Sequence, residues 1–156
     1  MVAPWAGRLS VEIDVDGHHY ELPDAVAGQS LLRVLRDVLG ITAAKNACEQ
    51  GECGSCTVSV DGEIACACLL LAAQADGSVI ETAATAPENL RAAFIRHGAI
   101  QCGFCTPGMV VAASDLLRRV PSPSEDDVRE GLSGNLCRCT GYQKIVAAVR
   151  DAGDGR

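Results

Sequence analysis

Nine cysteines lie between positions 48 and 139 of a 156-residue chain, and they come in tight groups. Cys48, Cys53 and Cys56 form C-x4-C-x2-C, and Cys66 and Cys68 follow two apart. Cys102 and Cys105 form C-x2-C, and Cys137 and Cys139 form C-x-C. A chain of this length builds one ordinary domain or two small ones with modest cores, so cross-links at these points constrain the fold more than any other feature. Disulfides are one option. However, the first thirty residues show no basic start, apolar run and small-residue cleavage site, which points to the reducing cytoplasm and to thiols that serve as metal ligands. An odd total then leaves one cysteine over. No stretch approaches the roughly 20 apolar residues of a membrane span, so no membrane insertion is expected. A net charge of -7 and a pI near 4.8 exclude a nucleic-acid partner, while an acidic surface suits protein docking.

The first group carries a specific signal. C-x4-C-x2-C, with Cys68 following after eleven intervening residues, is the ligand spacing of plant-type 2Fe-2S sites. One loop must wrap such a cluster closely with its amides turned toward the sulfurs, and Gly51 and Gly54 permit that because they lack a β-carbon. Structural zinc sites favour paired C-x2-C knuckles and match this loop poorly. Cys66 and Cys68 are two apart near a strand end and share a face, so spacing alone does not choose the fourth ligand. The one left over is read as a small buried hydrophobe.

The second group is more ambiguous. Cys102 and Cys105 sit at the start of one predicted helix and Cys137 and Cys139 at the start of another. Two facing helix N-termini would offer free N-H groups and dipole ends to an anionic cluster and would tie two short helices together. The same four thiols could hold zinc. Phe104 and Tyr142 lie beside these ligands and are expected to pack there, and Arg138 either offsets cluster charge or points to solvent. His18, His19 and His97 are not spaced as a metal set and are read as surface residues. No nucleophile, base and orienting group converge, so no catalytic residue is assigned.

The periodicity predicts an α+β order. Leu9, Val11, Ile13 and Val15 alternate with polar residues into Asp16-Gly17, a hairpin dipeptide, and a strand returns through Tyr20 and Leu22. Ser30 caps a helix with Leu31, Leu32, Val34, Leu35, Val38 and Leu39 on one face, closed by Gly40. Thr57 to Val60, Asp61-Gly62 and Glu63 to Cys66 form a second hairpin, and Val79 to Thr82 a further strand. Helix signals alone follow, over Pro87 to His97, Thr106 to Arg119, from Ser124 with its capping box, and Tyr142 to Ala152. Two domains are expected, over 1–82 and 83–156.

With both cysteine groups in view, the chain closely resembles the iron-sulfur subunit of the molybdenum hydroxylases, the family of xanthine dehydrogenase, aldehyde oxidase and carbon monoxide dehydrogenase. The resemblance is carried by Lys45 to Val58, Ala67-Cys68-Leu69, Gln101 to Gly108 and Gly134 to Tyr142. It implies a β-grasp plant-type ferredoxin domain followed by a four-helix bundle. It further implies an outer 2Fe-2S cluster on Cys48, Cys53, Cys56 and Cys68, nearer an FAD on another subunit. An inner cluster on Cys102, Cys105, Cys137 and Cys139 would lie nearer the molybdopterin of a large subunit, with Gln101 and Cys139 contacting the pterin. Electrons would run from molybdenum through pterin, inner and outer clusters to FAD in a cytoplasmic hetero-oligomer. Ala47, where many relatives have glycine, implies a backbone there without positive φ. Glu49-Gln50 looks like the xanthine or purine branch, and oxidation of a purine or other N-heterocycle is the expected overall reaction. An aldehyde or carbon monoxide dehydrogenase subunit, or a free-standing carrier, is the alternative.

Overall fold

The computed structural model describes residues 10–155, so Leu9 of the first predicted strand lies outside the described residues. Strand β1, Ser10–Val15, buries Val11, Ile13 and Val15 on one face, as period-two alternation requires. Asp16 and Gly17 both take positive φ, 51° and 82°, and turn the chain into β2, His18–Pro23. The same device recurs at Asp61 and Gly62, which join β3, Thr57–Val60, to β4, Glu63–Cys66. Strand β5, Val79–Glu81, runs parallel to β1 and antiparallel to β3, which closes a five-stranded mixed sheet of order β2-β1-β5-β3-β4.

Helix α1 begins as expected. Ser30 Oγ accepts the Arg33 amide, and Leu31–Arg33 runs on into a wider π-type turn over Val34–Val38. That widening rotates the end of the helix. Leu31, Leu32, Val34 and Leu35 are buried against the sheet, but Val38 is 45% exposed, which corrects the single broad face predicted. The helix crossing this sheet gives the β-grasp layer a core of its own, reaching from Val11 to Ile80.

Four helices follow. They are α2 at Glu88–Arg96, α3 at Thr106–Arg119, α4 at Glu125–Gly131 and α5 at Gln143–Gly153. Ser124 and Asp127 make the predicted reciprocal cap, with Ser124 Oγ accepting the Asp127 amide and the Asp127 carboxylate accepting the Ser124 amide. Their shared interior, from Ala86 to Ala152, forms a second core around Phe94, Met109 and Ile145. None of the described helices is long and apolar enough to cross a membrane.

The hairpin between β1 and β2 also fixes the junction of sheet and helices. Asp16 Oδ1 accepts the Thr82 amide at 2.7 Å and Oδ2 accepts the Thr82 hydroxyl at 2.7 Å, while Thr82 is only 2% exposed. Removing the carboxylate leaves a buried donor pair without partners. Asp16→Ala is therefore expected to destabilise the protein by about 2 kcal/mol, within the range for a lost buried acceptor, and Asp16→Asn by less because it keeps one acceptor and tolerates positive φ. Urea midpoints of the three proteins measure this, and equal midpoints would show the junction to be held elsewhere.

Candidate metal centre

Between α1 and β3 the chain passes through a loop whose amides turn inward. Glu49, Gly51 and Gly54 take positive φ of 54°, 73° and 66°, and Ala47 does not, as its side chain implied. The Gln50 amide donates to Cys48 Sγ at 3.4 Å. That amide, with those of Cys53 and Glu52 and the Cys53 thiol, lowers the Cys48 pKa to about 6 and so favours the thiolate there. Cys56 is the opposite case. Burial first, and the neighbouring Cys68 thiol after it, push it up to about 12.

The second group is assembled from two loops. Cys105 caps α3 directly, whereas Cys137 and Cys139 lie in the loop ahead of α5, whose own cap is Tyr142. The pair of facing helix beginnings is thus corrected to one helix beginning and one loop. Cys139 Sγ stands 3.6 Å from Cys102 Sγ, and Cys105 interacts with Cys137. Burial and then the Cys137 thiol push Cys105 up to about 12. At Cys137 burial works upward, but hydrogen bonds from the Thr140 hydroxyl at 3.1 Å and from nearby amides outweigh it and lower the pKa.

The thiols thus gather in two places: Cys48 with Cys53 and Cys56 with Cys66 and Cys68 in the first, and Cys102 beside Cys139 and Cys105 beside Cys137 in the second. A two-iron cluster asks for two thiolates per iron, and each gathering holds enough thiols for that requirement. Thiols held up by burial, such as Cys56 and Cys105, become favourable as thiolates only beside a positive metal, so loading would release protons.

Cys66 lies with the first group, where its thiol interacts with those of Cys56 and Cys68. It is half-buried at the end of β4, its thiol donates to the Gly51 carbonyl at 3.8 Å, and burial raises its pKa ahead of the effect of Cys68. Gln101 and Arg138 are exposed, as is Phe104 at 44% beside Cys105. His19 bonds Asp14 at 3.0 Å, and His97 meets Asp151 of α5 at 3.1 Å, both away from the thiols.

Sequence reasoning missed the contact between the two cysteine loops. The Leu136 amide, next to Cys137, donates to the Cys53 carbonyl at 2.9 Å. Asn135, 5% exposed, donates from Nδ2 to the Gly54 carbonyl at 2.9 Å and to Thr57 Oγ1 at 3.1 Å. Gly54 and Gly108 let the backbones meet, since a β-carbon at Gly108 would fall on the Gly54 carbonyl and one at Gly54 on the Gly134 carbonyl. Gly108 in the first turn of α3 was the available signal, because glycine there costs a helix about 1 kcal/mol relative to alanine and needs a reason.

Comparison with known proteins agrees with this geometry. Residues 13–85 match the family model described as a 2Fe-2S iron-sulfur cluster binding domain, and residues 79–150 match a second described as a [2Fe-2S] binding domain. The chain is 48% identical over 149 residues to the nicotine 6-hydroxylase small subunit of Paenarthrobacter nicotinovorans, covering 93% of this chain and 90% of that one. It is 47% identical over 150 residues to the nicotinate dehydrogenase small FeS subunit of Eubacterium barkeri, covering 93% and 95%. In the crystal structure of quinoline 2-oxidoreductase from Pseudomonas putida 86, a chain superposes with a TM-score of 0.86 at 41% identity, covering 94% of both. Other relatives carry the names of xanthine, caffeine and aldehyde oxidising enzymes, and in the aldehyde oxidoreductase of Megalodesulfovibrio gigas the match is 14% of a longer chain. The chain belongs to the small iron-sulfur subunits of the molybdenum hydroxylases, a family of multi-subunit oxidoreductases, and it carries two 2Fe-2S binding domains.

Proposed function

We propose that this chain conducts electrons between a molybdopterin-bearing large subunit and an FAD-bearing subunit of a cytoplasmic N-heterocycle dehydrogenase. Cys48, Cys53, Cys56 and Cys68 hold the outer cluster, and Cys102, Cys105, Cys137 and Cys139 the inner one. The carrying observation is the gathering of thiols at two places, one at a loop whose amides turn inward and one where Cys139 Sγ stands 3.6 Å from Cys102 Sγ, within two matched 2Fe-2S binding domains. A 2Fe-2S cluster supplies one-electron redox chemistry when bound. The chain's own task is to hold, space and shield.

Several features support the orientation. Cys102 and Cys139 are exposed together with Gln101, so the inner set opens to the surface where a pterin would contact Gln101 and Cys139. The Leu136 amide and the Cys53 carbonyl place one hydrogen bond directly between the two sets. The separate cores support a division into residues 1–82 and 83–156. For substrate, the relatives named for nicotine and nicotinate favour an N-heterocycle, and Glu49-Gln50 favours the purine branch with xanthine as the specific reading.

Isolation of the native complex tests this. We expect about four irons per copy of this chain, two paramagnetic centres after reduction, and molybdenum and FAD in the co-purifying subunits. Screening xanthine, nicotinate and an aromatic aldehyde should give fastest turnover with xanthine. Preference for nicotinate would move the enzyme to the pyridine branch, and a chain that always purifies alone would remove the subunit role.

A further inference from the structure

The loop ahead of α5 holds a run of hydrogen bonds that the ligand assignment leaves without a role. Tyr142 takes the left-handed conformation, φ 67°, which a bulky side chain rarely adopts without compensation. Its hydroxyl accepts the Cys137 amide at 2.8 Å and donates to the Asn135 carbonyl at 3.1 Å. From the Asn135 side chain the run continues to the Gly54 carbonyl and to Thr57 Oγ1, which itself donates to Gly54 at 2.7 Å. A ligand of one set is thereby connected through side chains to the loop that carries the other.

Resting on the ligand assignment above, we propose that Tyr142 and Asn135 are positioning residues that lock the two cluster loops together and set how strongly each cluster senses the other. The chemistry of both side chains argues for this over simple filling of space. A phenylalanine fills the volume of Tyr142 equally well, and only the hydroxyl can bridge an amide to a carbonyl. An amide side chain buried at Asn135 is unfavourable unless its hydrogen bonds are made, and here both donors are used in a region shielded from water, where such bonds polarise one another. The Tyr142 bond also fixes the direction of the Cys137 amide, a donor that would otherwise be free to turn toward a sulfur.

The test uses the assembled enzyme carrying Tyr142→Phe, Asn135→Ala, or both. Iron content and the number of paramagnetic centres are measured first, then the reduction potential of each centre and the splitting of their signals when both are reduced. Iron is expected to stay at the wild-type level. The potential of the outer centre is expected to shift in Tyr142→Phe, although the hydroxyl bonds at Cys137 and Asn135 only, and the splitting is expected to change in both single variants. The double variant is expected to shift no further than the larger single one, because the two residues act as one unit. Unchanged potentials and splitting with iron retained would overturn the inference, as would shifts that add. If Tyr142→Phe loses the inner centre while the outer keeps its potential and line shape, the connection does not operate. A wild-type complex with one centre strikes the ligand assignment instead, which keeps the two failures apart.

Discussion

Gly108→Ala is expected to prise the two cysteine loops apart. Helix propensity favours alanine by about 1 kcal/mol, so in an open helix the change would stabilise. Here the new methyl would meet the Gly54 carbonyl oxygen, a backbone atom that cannot rotate away and that already accepts hydrogen bonds from Asn135 and Thr57. Overpacking of this kind costs about 1–3 kcal/mol and more where backbone is the obstacle, so the unfavourable effect wins. Its location makes the functional loss larger than the stability loss. The outer loop is displaced between Cys53 and Cys56, and the outer centre should be lost or strongly altered in its paramagnetic signal. Gly28→Ala serves as the control, since it has open space within 4 Å, and it should leave both centres intact. Two normal centres in Gly108→Ala would mean that the loops tolerate separation.

Cys105→Ser is expected to empty the inner site and to stop electron delivery to the acceptor. Cys105 is half-buried at the head of α3 and interacts with Cys137, so its loss leaves the inner set one thiolate short. Iron should fall to about half the wild-type content, with a single remaining paramagnetic centre. The helices should loosen as well, because ligation and folding are coupled, and earlier thermal unfolding of the variant would report it. An assembled variant that reduced its acceptor at the wild-type rate would show that electrons bypass this site.

What could be read beforehand follows a physical division. Alternation and Asp-Gly pairs are local, and they placed both hairpins, with Thr57 to Val60 and Glu63 to Cys66 matching β3 and β4. Helix starts are local too, and the caps at Ser30 and Ser124 form as read. The widening at Val34–Val38 was not legible, because it arises where the helix end meets the sheet and not from any one residue type. The cysteine spacings announced two metal sites. They did not reveal that Cys102 associates with Cys139 rather than with its neighbour Cys105, since two distant loops must first be brought together. Asn135 and Gly54 meet across 81 positions, and an asparagine in a loop gives no hint of such a partner. Tyr142 was noticed for its ring, whereas its hydroxyl makes the contacts.

The inner sulfurs are unequally sheltered: Cys102 and Cys139 are open to water, and Cys105 and Cys137 are half covered. Ageing of the separated subunit should therefore be lopsided, with a chelator or dissolved oxygen reaching the outward iron first and leaving the inward one behind. Partly spent preparations would then hold half-dismantled centres instead of a mixture of full and empty ones, and docking of the neighbouring subunit over that open edge would act as the preservative.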